Sequence, residues 1–232
     1  MHEQKTRARA ARKNAGAEAW EGSSDVLKGI ESTDFVGYDK LACDAKVLCI
    51  VKDGEACSSA RTGEDVSIIL DTTPFYAESG GQTGDTGRMV CESVDISVGD
   101  TFKNHEGVIV HACTVTAGEI KIGDTVTAEV DSEKRHAVMR NHTSAHLLQA
   151  ALRQILGDHV EQAGQLVNSD YVRFDFTHFS ALTGEELKKV EDDVNDVILS
   201  ALKVTTAEMS IEEAKKIGAM ALFGEKYGNI VR

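Results

Sequence analysis

"SEKRHAVMRNHTSAHLLQAALRQILG", residues 132–157, decides how the chain divides. Its apolar positions Val138, Ala145, Leu148, Leu152 and Ile155 recur at helical spacing. Ser132 stands where an N-cap belongs, with Arg135 in place of the capping-box Glu, and Gly157 follows as a C-cap. One long helix is predicted. Before it the chain reads as β. "KVLCIV" (46–51), "VSIILD" (66–71), "GRMVCESVDISV" (87–98), "GVIVHACTV" (107–115) and "DTVTAEVD" (124–131) are rich in Val, Ile and Thr. Asp53-Gly54, Thr62-Gly63, Gly99-Asp100 and Gly123-Asp124 separate them. Short strands at that interval predict a small antiparallel barrel or sandwich over 35–130.

After the helix, "GQLVNSDYVRFDF" (164–176) predicts a hairpin turning at Asn168-Ser169-Asp170. A second helix follows, with Leu187, Val190, Val194, Val197, Ile198 and Ala201 as its stripe and Thr183 with Glu186 as a capping box. "VTTAEMS" (204–210) predicts a strand, "IEEAKKIGAMALFG" (211–224) a last helix ending at Gly224, and "EKYGNIVR" (225–232) the start of another strand. Residues 3–20 favour helix, and Ser24 with Asp25 can cap a short turn through Leu27. The fold class is α+β. Its three zones are a helical tail (1–34), a small antiparallel β-barrel (35–130) and an α+β core (131–232).

Length and a 41% hydrophobic content allow a real core. No apolar run reaches the roughly 20 residues that span a bilayer, and the start lacks a secretory h-region. Five cysteines without a Cys-x-x-Cys pair point to reduced thiols and a cytoplasmic setting rather than a disulfide framework. A net charge of −13 is not that of a general nucleic-acid binder. The head is nevertheless basic, with Lys5, Arg7, Arg9, Arg12 and Lys13 against Glu3 and Glu18. That head is either a solvated helix face or part of a nucleic-acid-binding helix.

His142 and His146 stand four apart on the predicted helix, so one face presents both imidazoles. Zinc takes imidazole, but needs four ligands, or three and a water. Such a pair also arises readily by chance. Thr143 occupies the place where a zinc peptidase carries its general base Glu, which disfavours that class. Thr143, Ser144 and Ala145 are small and leave room for a substrate. "FYAESGGQTGDTG" (75–87) carries Gly80, Gly81, Gly84 and Gly87. It is neither a Walker loop nor a dinucleotide fingerprint. Its glycines fit a barrel corner, while Glu78, Ser79, Gln82 and Asp85 could line a pocket. No Gly-x-Ser-x-Gly supports a serine nucleophile.

In this order, "RARAARK" (7–13), "FVGY" (35–38), "PFYAESGGQTGDTG" (74–87), "RNHTSAHLLQAALRQILG" (140–157), "HVEQAGQLV" (159–167), "RFDFTH" (173–178) and "GAMALFGEKYG" (218–228) resemble the middle of bacterial alanyl-tRNA synthetases. The resemblance covers essentially the whole chain. It implies the end of a tRNA-recognition region, then a barrel and an α+β editing core of the threonyl/alanyl-tRNA synthetase type. That region hydrolyses tRNA(Ala) mischarged with serine or glycine. In the family, zinc is held by two histidines of this helix plus a Cys and a His of a later Cys-Gly-Gly-Thr-His motif. His142 and His146 match the first two, and the motif is expected beyond Arg232, which would leave the isolated chain weak or inactive. Gly80, Gly81, Gln82 and Asp85 match the glycine-rich wall of the editing pocket, and Gln162 and Thr143 match positions at that site. ATP and Mg²⁺ are expected to serve a ligase domain elsewhere in the parent; tRNA(Ala) and the parent's other domains are the implied partners, with no membrane. One departure is Gln165, where the family usually has Ser. The alternative is a non-catalytic tRNA- or protein-binding module with structural histidines.

Overall fold

The computed structural model describes residues 24–27, 29–30, 32–104, 107–219 and 228–231. The helix expected over 3–20 lies outside them. The described residues form two compact units, one within 1–141 with 166–171 and one within 142–165 with 172–232.

Six antiparallel strands close the first unit into a barrel. They are β1 (Ala42–Lys52), β2 (Asp65–Leu70), β3 (Gly87–Cys91), β4 (Val94–Lys103), β5 (Ile109–Ala117) and β6 (Thr125–Val130). Around the ring the order is β1-β2-β5-β4-β3-β6, and β6 pairs back onto β1. Closure satisfies both edges of every strand, which an open sheet of this length could not do. The interior is filled by Val47, Ile50, Ile68, Leu70, Phe75, Met89, Ile96, Val115 and their neighbours. Inward positions on β1 run Ala45, Val47, then Ile50, a change of parity. Its cause is a register irregularity between Val47 and Cys49, where Leu48 is the extra residue. A smaller cluster of Leu27, Cys49, Val51, Ile69, Val108 and Val110 covers the wall from outside, with Leu27 on the short 3₁₀ turn Ser24–Leu27. Burial on both faces explains why β2 reads as a continuous apolar run.

Two sequence expectations change here. Residues 87–98 form two strands, not one, because the chain reverses at Glu92-Ser93, where Glu92 takes a positive φ of 35°. Gly99-Asp100 does not end a strand: β4 runs through it, and Gly99 is the extra residue of a bulge between Val98 and Asp100.

Helix α1 (Ser132–Leu156) has the predicted extent and ends at Gly157, whose φ is 114°. Its cap is Asp131 rather than Ser132. The Asp131 carboxylate accepts the Lys134 N–H at 3.1 Å, so Ser132 is already helical. Strands β7 (Gln162–Val167) and β8 (Val172–Phe176) form the expected hairpin, whose residues 166–171 belong to the first unit and the rest to the second. Asn168 caps its turn by accepting the N–H groups of Asp170 and Tyr171, each at 2.8 Å. Helix α2 (Gly184–Leu199) starts at the predicted Thr183–Glu186 capping box. Ala151, Leu152, Val160 and Val190 form the second unit's core, with Phe174, Phe176 and Val194 packed on it. The stripe of α2 is narrower than predicted: Val190 is buried, while Leu187 and Ile198 are exposed. The strand expected over 204–210 shrinks to Met209–Ser210, paired with Ile230–Val231. Helix α3 spans Ile211–Lys216 and stops before Gly218, whose φ is 84°; residues 220–224 of the expected helix lie outside the described residues. Among the described residues, no helix is long and apolar enough to cross a membrane.

The barrel also buries a titratable ring. His111 is fully enclosed; its Nδ1 donates to the Ile68 carbonyl at 2.9 Å and its Nε2 accepts from the Thr73 hydroxyl at 2.8 Å. Burial pushes its pKa down to about 4, against the raising effect of the Ile68 bond. A folded value below the unfolded one gives stability that is complete above about pH 6.5 and is lost as pH falls toward 4. The full effect is about 3 kcal/mol. Urea denaturation of wild type and His111→Gln should show the wild type losing about 2–3 kcal/mol more between pH 7.5 and 4.5. Equal losses would contradict this.

Candidate functional site

The glycine-rich segment lies in the first unit and is shaped by two different uses of glycine. Gly80 and Gly81 have φ of 60° and 83° and sit between Ser79 and Gln82, which exchange backbone hydrogen bonds at 3.2 and 3.0 Å. Positive φ at both central residues is the pattern of a tight type I′ hairpin turn, which glycine adopts without strain. A side chain on Gly80 would meet nothing within 4 Å, so the space above the turn is open. Gly84 serves close approach instead: a Cβ there would lie 2.0 Å from the Thr101 carbonyl oxygen and 2.6 Å from an Asp100 carboxylate oxygen. The tip is further held by Val167, whose N–H donates to the Gly81 carbonyl at 2.8 Å and whose carbonyl accepts the Thr83 N–H at 3.0 Å. Gln82 is buried within this arrangement.

Asp85 is buried at the base of the same loop. Arg135 Nε donates to both its carboxylate oxygens at 2.9 Å, Arg135 Nη2 donates to Oδ2, and the Tyr76 N–H donates to Oδ2 at 2.6 Å. Arg135, 6% exposed, also donates from Nη1 to the Gly37 carbonyl and from Nη2 to the Pro74 carbonyl, each at 2.8 Å. The planar fork of arginine permits four acceptors from three stretches of chain. Thr101 completes the base: its hydroxyl donates to the Asp85 carbonyl at 2.9 Å and its own carbonyl accepts the Glu78 N–H at 2.8 Å. Sequence reasoning met Arg135 only as a mismatch to a capping box and missed this role.

In the second unit, His142 and His146 lie on one face of α1 with their rings 5.3 Å apart and only 10° from parallel. His142 is half-buried and His146 exposed. Burial, then the neighbouring His146, lowers the His142 pKa below the usual imidazole range. A neutral ring at physiological pH keeps a lone pair for a metal. Thr143 is exposed on the helix between them, and Gln162 is half-buried as the first residue of β7. One turn beyond His146, Gln149 is buried. Its amide donates a long bond of 3.4 Å to the Val160 carbonyl, and its Oε1 meets no donor among the described residues. Among the described residues, no third His, Cys, Asp or Glu joins the pair to make a metal cluster. The cysteines are free, with Cys49 and Cys113 buried and the other three partly so.

Comparison with known proteins adds what geometry alone does not. The family profile described as "tRNA synthetases class II (A)" matches residues 1–134. Over its whole length the chain is 46% identical to the alanine–tRNA ligase of Acetivibrio thermocellus, covering 26% of that protein. It is 48% identical to that of Pelotomaculum thermopropionicum, with 27% covered, and 49% identical to that of Thermoanaerobacter pseudethanolicus, with 26% covered. The chain thus spans about a quarter of the length of these curated relatives.

The two kinds of glycine make a direct comparison. Gly84→Ala forces a methyl against a barrel-strand carbonyl and should cost about 1–3 kcal/mol. Gly80→Ala meets open space and should cost only the left-handed backbone penalty, about 1 kcal/mol. Thermal melts should rank Gly84→Ala below Gly80→Ala; the reverse order would contradict the assignment.

Proposed function

Because the chain belongs to the alanyl-tRNA synthetase family, we propose that this segment edits, hydrolysing tRNA(Ala) mischarged with serine or glycine. The observation that carries the proposal is the His142–His146 pair, near-parallel on one helix face with one ring biased to its neutral form. Two imidazoles so placed fit two positions of a tetrahedral zinc, the others coming from outside the described residues. When bound, zinc would supply a Lewis acid for the aminoacyl ester or its attacking water. Thr143 and Gln162 are the polar groups assigned to the substrate beside the histidines. Gly80, Gly81 and Gln82 are also assigned to the substrate, and within the first unit Asp85 holds their loop in shape.

Editing answers a physical limit. A synthetic site cannot reject a smaller residue, or one that merely adds a hydroxyl, by more than about 100-fold. A second, hydrolytic site restores the discrimination. In this proposal the parent joins alanine to tRNA(Ala) with ATP and Mg²⁺ in the cytoplasm, and no residue described here is assigned to ATP or Mg²⁺. The α+β arrangement of the second unit serves as the core of the threonyl/alanyl editing type.

In a full-length alanine–tRNA ligase carrying this segment, His142→Ala and His146→Ala should each reduce bound zinc and seryl-tRNA(Ala) hydrolysis by about 10–100-fold or more. Alanylation should hold. Unchanged zinc content and hydrolysis would overturn the proposal and favour a non-catalytic binding module.

A further inference from the structure

The loop that carries Gly80 and Gly81 leaves the barrel at Pro74 and returns to it at Gly87. An excursion of this length is mobile unless something fixes its base. In this molecule one buried side chain reaches both ends of the base, and the Thr86 carbonyl also accepts the Asp131 N–H at 2.8 Å. Arg135 holds Asp85 at the returning end and Pro74 at the leaving end, and Asp85 in turn accepts the Tyr76 N–H. The Asp85 N–H closes the base by donating to the Tyr76 carbonyl at 2.9 Å. The same guanidinium reaches Gly37, where a Cβ would stand 2.2 Å from the Pro74 carbonyl. The two ends of the loop and the turn at Gly37 beside them are therefore drawn together on one side chain.

We infer that Arg135 is a positioning residue for the editing reaction: acting through Asp85, it fixes the Gly80-Gly81 turn where the aminoacyl ester is received. The inference rests on the editing proposal above. Arg135 touches no substrate. It takes its place from α1, one turn into the helix, where its N–H donates to the Asp131 carbonyl at 2.9 Å. Lysine cannot replace it. A point ammonium can pair with Asp85 but has no planar fork to span Gly37, Pro74 and the carboxylate together. The loop also has a second support, from Thr101 and Val167. Removing the Arg135 contacts should therefore loosen the base of the loop without dissolving the barrel.

The test uses Arg135→Lys, with Asp85→Asn as a second variant because either change alone disturbs a buried pair. In the 232-residue chain, hydrogen exchange should speed up by about 10-fold or more for the amides of Tyr76 and Asp85, while β2 and β5 keep their protection. In a full-length ligase carrying the segment, seryl-tRNA(Ala) hydrolysis should fall by about 10²-fold, with zinc content and alanylation held. A loop whose exchange and hydrolysis both match wild type in a folded Arg135→Lys protein would overturn the inference. So would loss of protection throughout the barrel in both variants, which would make Arg135 a general stabiliser. If His142→Ala also leaves hydrolysis unchanged, the editing proposal itself has failed. If only the Arg135 and Asp85 variants do, the positioning role alone has failed.

Discussion

A single guanidinium, that of Arg135, spends its donors on the Asp85 carboxylate and on the carbonyls of Gly37 and Pro74. Burying that charge is costly. An ion pair removed from water seldom repays its desolvation by Coulomb attraction alone. Here the cost is offset because the carboxylate is also bonded by the Tyr76 N–H and the remaining arginine donors meet backbone acceptors. What the arrangement yields is geometry. The segment entering the barrel, the glycine-rich loop and the start of α1 are fixed to one another within the first unit.

The barrel makes such precision affordable. Its six strands close on themselves, so the loop between Pro74 and Gly87 springs from a rigid wall. Gly84 lets that loop lie directly on Thr101, at the bulge where Gly99 disturbs β4. Bulges of this kind re-aim a strand locally, and this one places the Thr101 hydroxyl and carbonyl where both hold the loop. In the second unit the helix carries two imidazoles one turn apart, as its 3.6-residue period requires of residues 142 and 146.

Much of this was legible in the sequence, and the reasons for the remainder are physical. Local signals read well. The length of α1, the Gly157 stop, the Thr183–Glu186 capping box and the Asn168 turn all depend on residues within a few positions of one another. Contacts between distant positions did not. Nothing near Arg135 announces Asp85, fifty residues earlier. Gly99-Asp100 looked like a turn because a bulge and a turn use the same residues. Asp131 and Ser132 are both good caps, and only the hydrogen bond to Lys134 chooses between them. At the candidate site the His142–His146 spacing was visible at once. The burial that lowers the His142 pKa depends on packing that no spacing encodes.

The editing proposed for this segment requires it to discriminate an ester by the amino acid attached to it. The direct measurement is the rate at which a full-length alanine–tRNA ligase carrying these residues releases the amino acid from seryl-tRNA(Ala) and from alanyl-tRNA(Ala). Serine should be freed at least about 100-fold faster than alanine. Equal release of the two, or release that persists unchanged when the segment is deleted, would contradict the account.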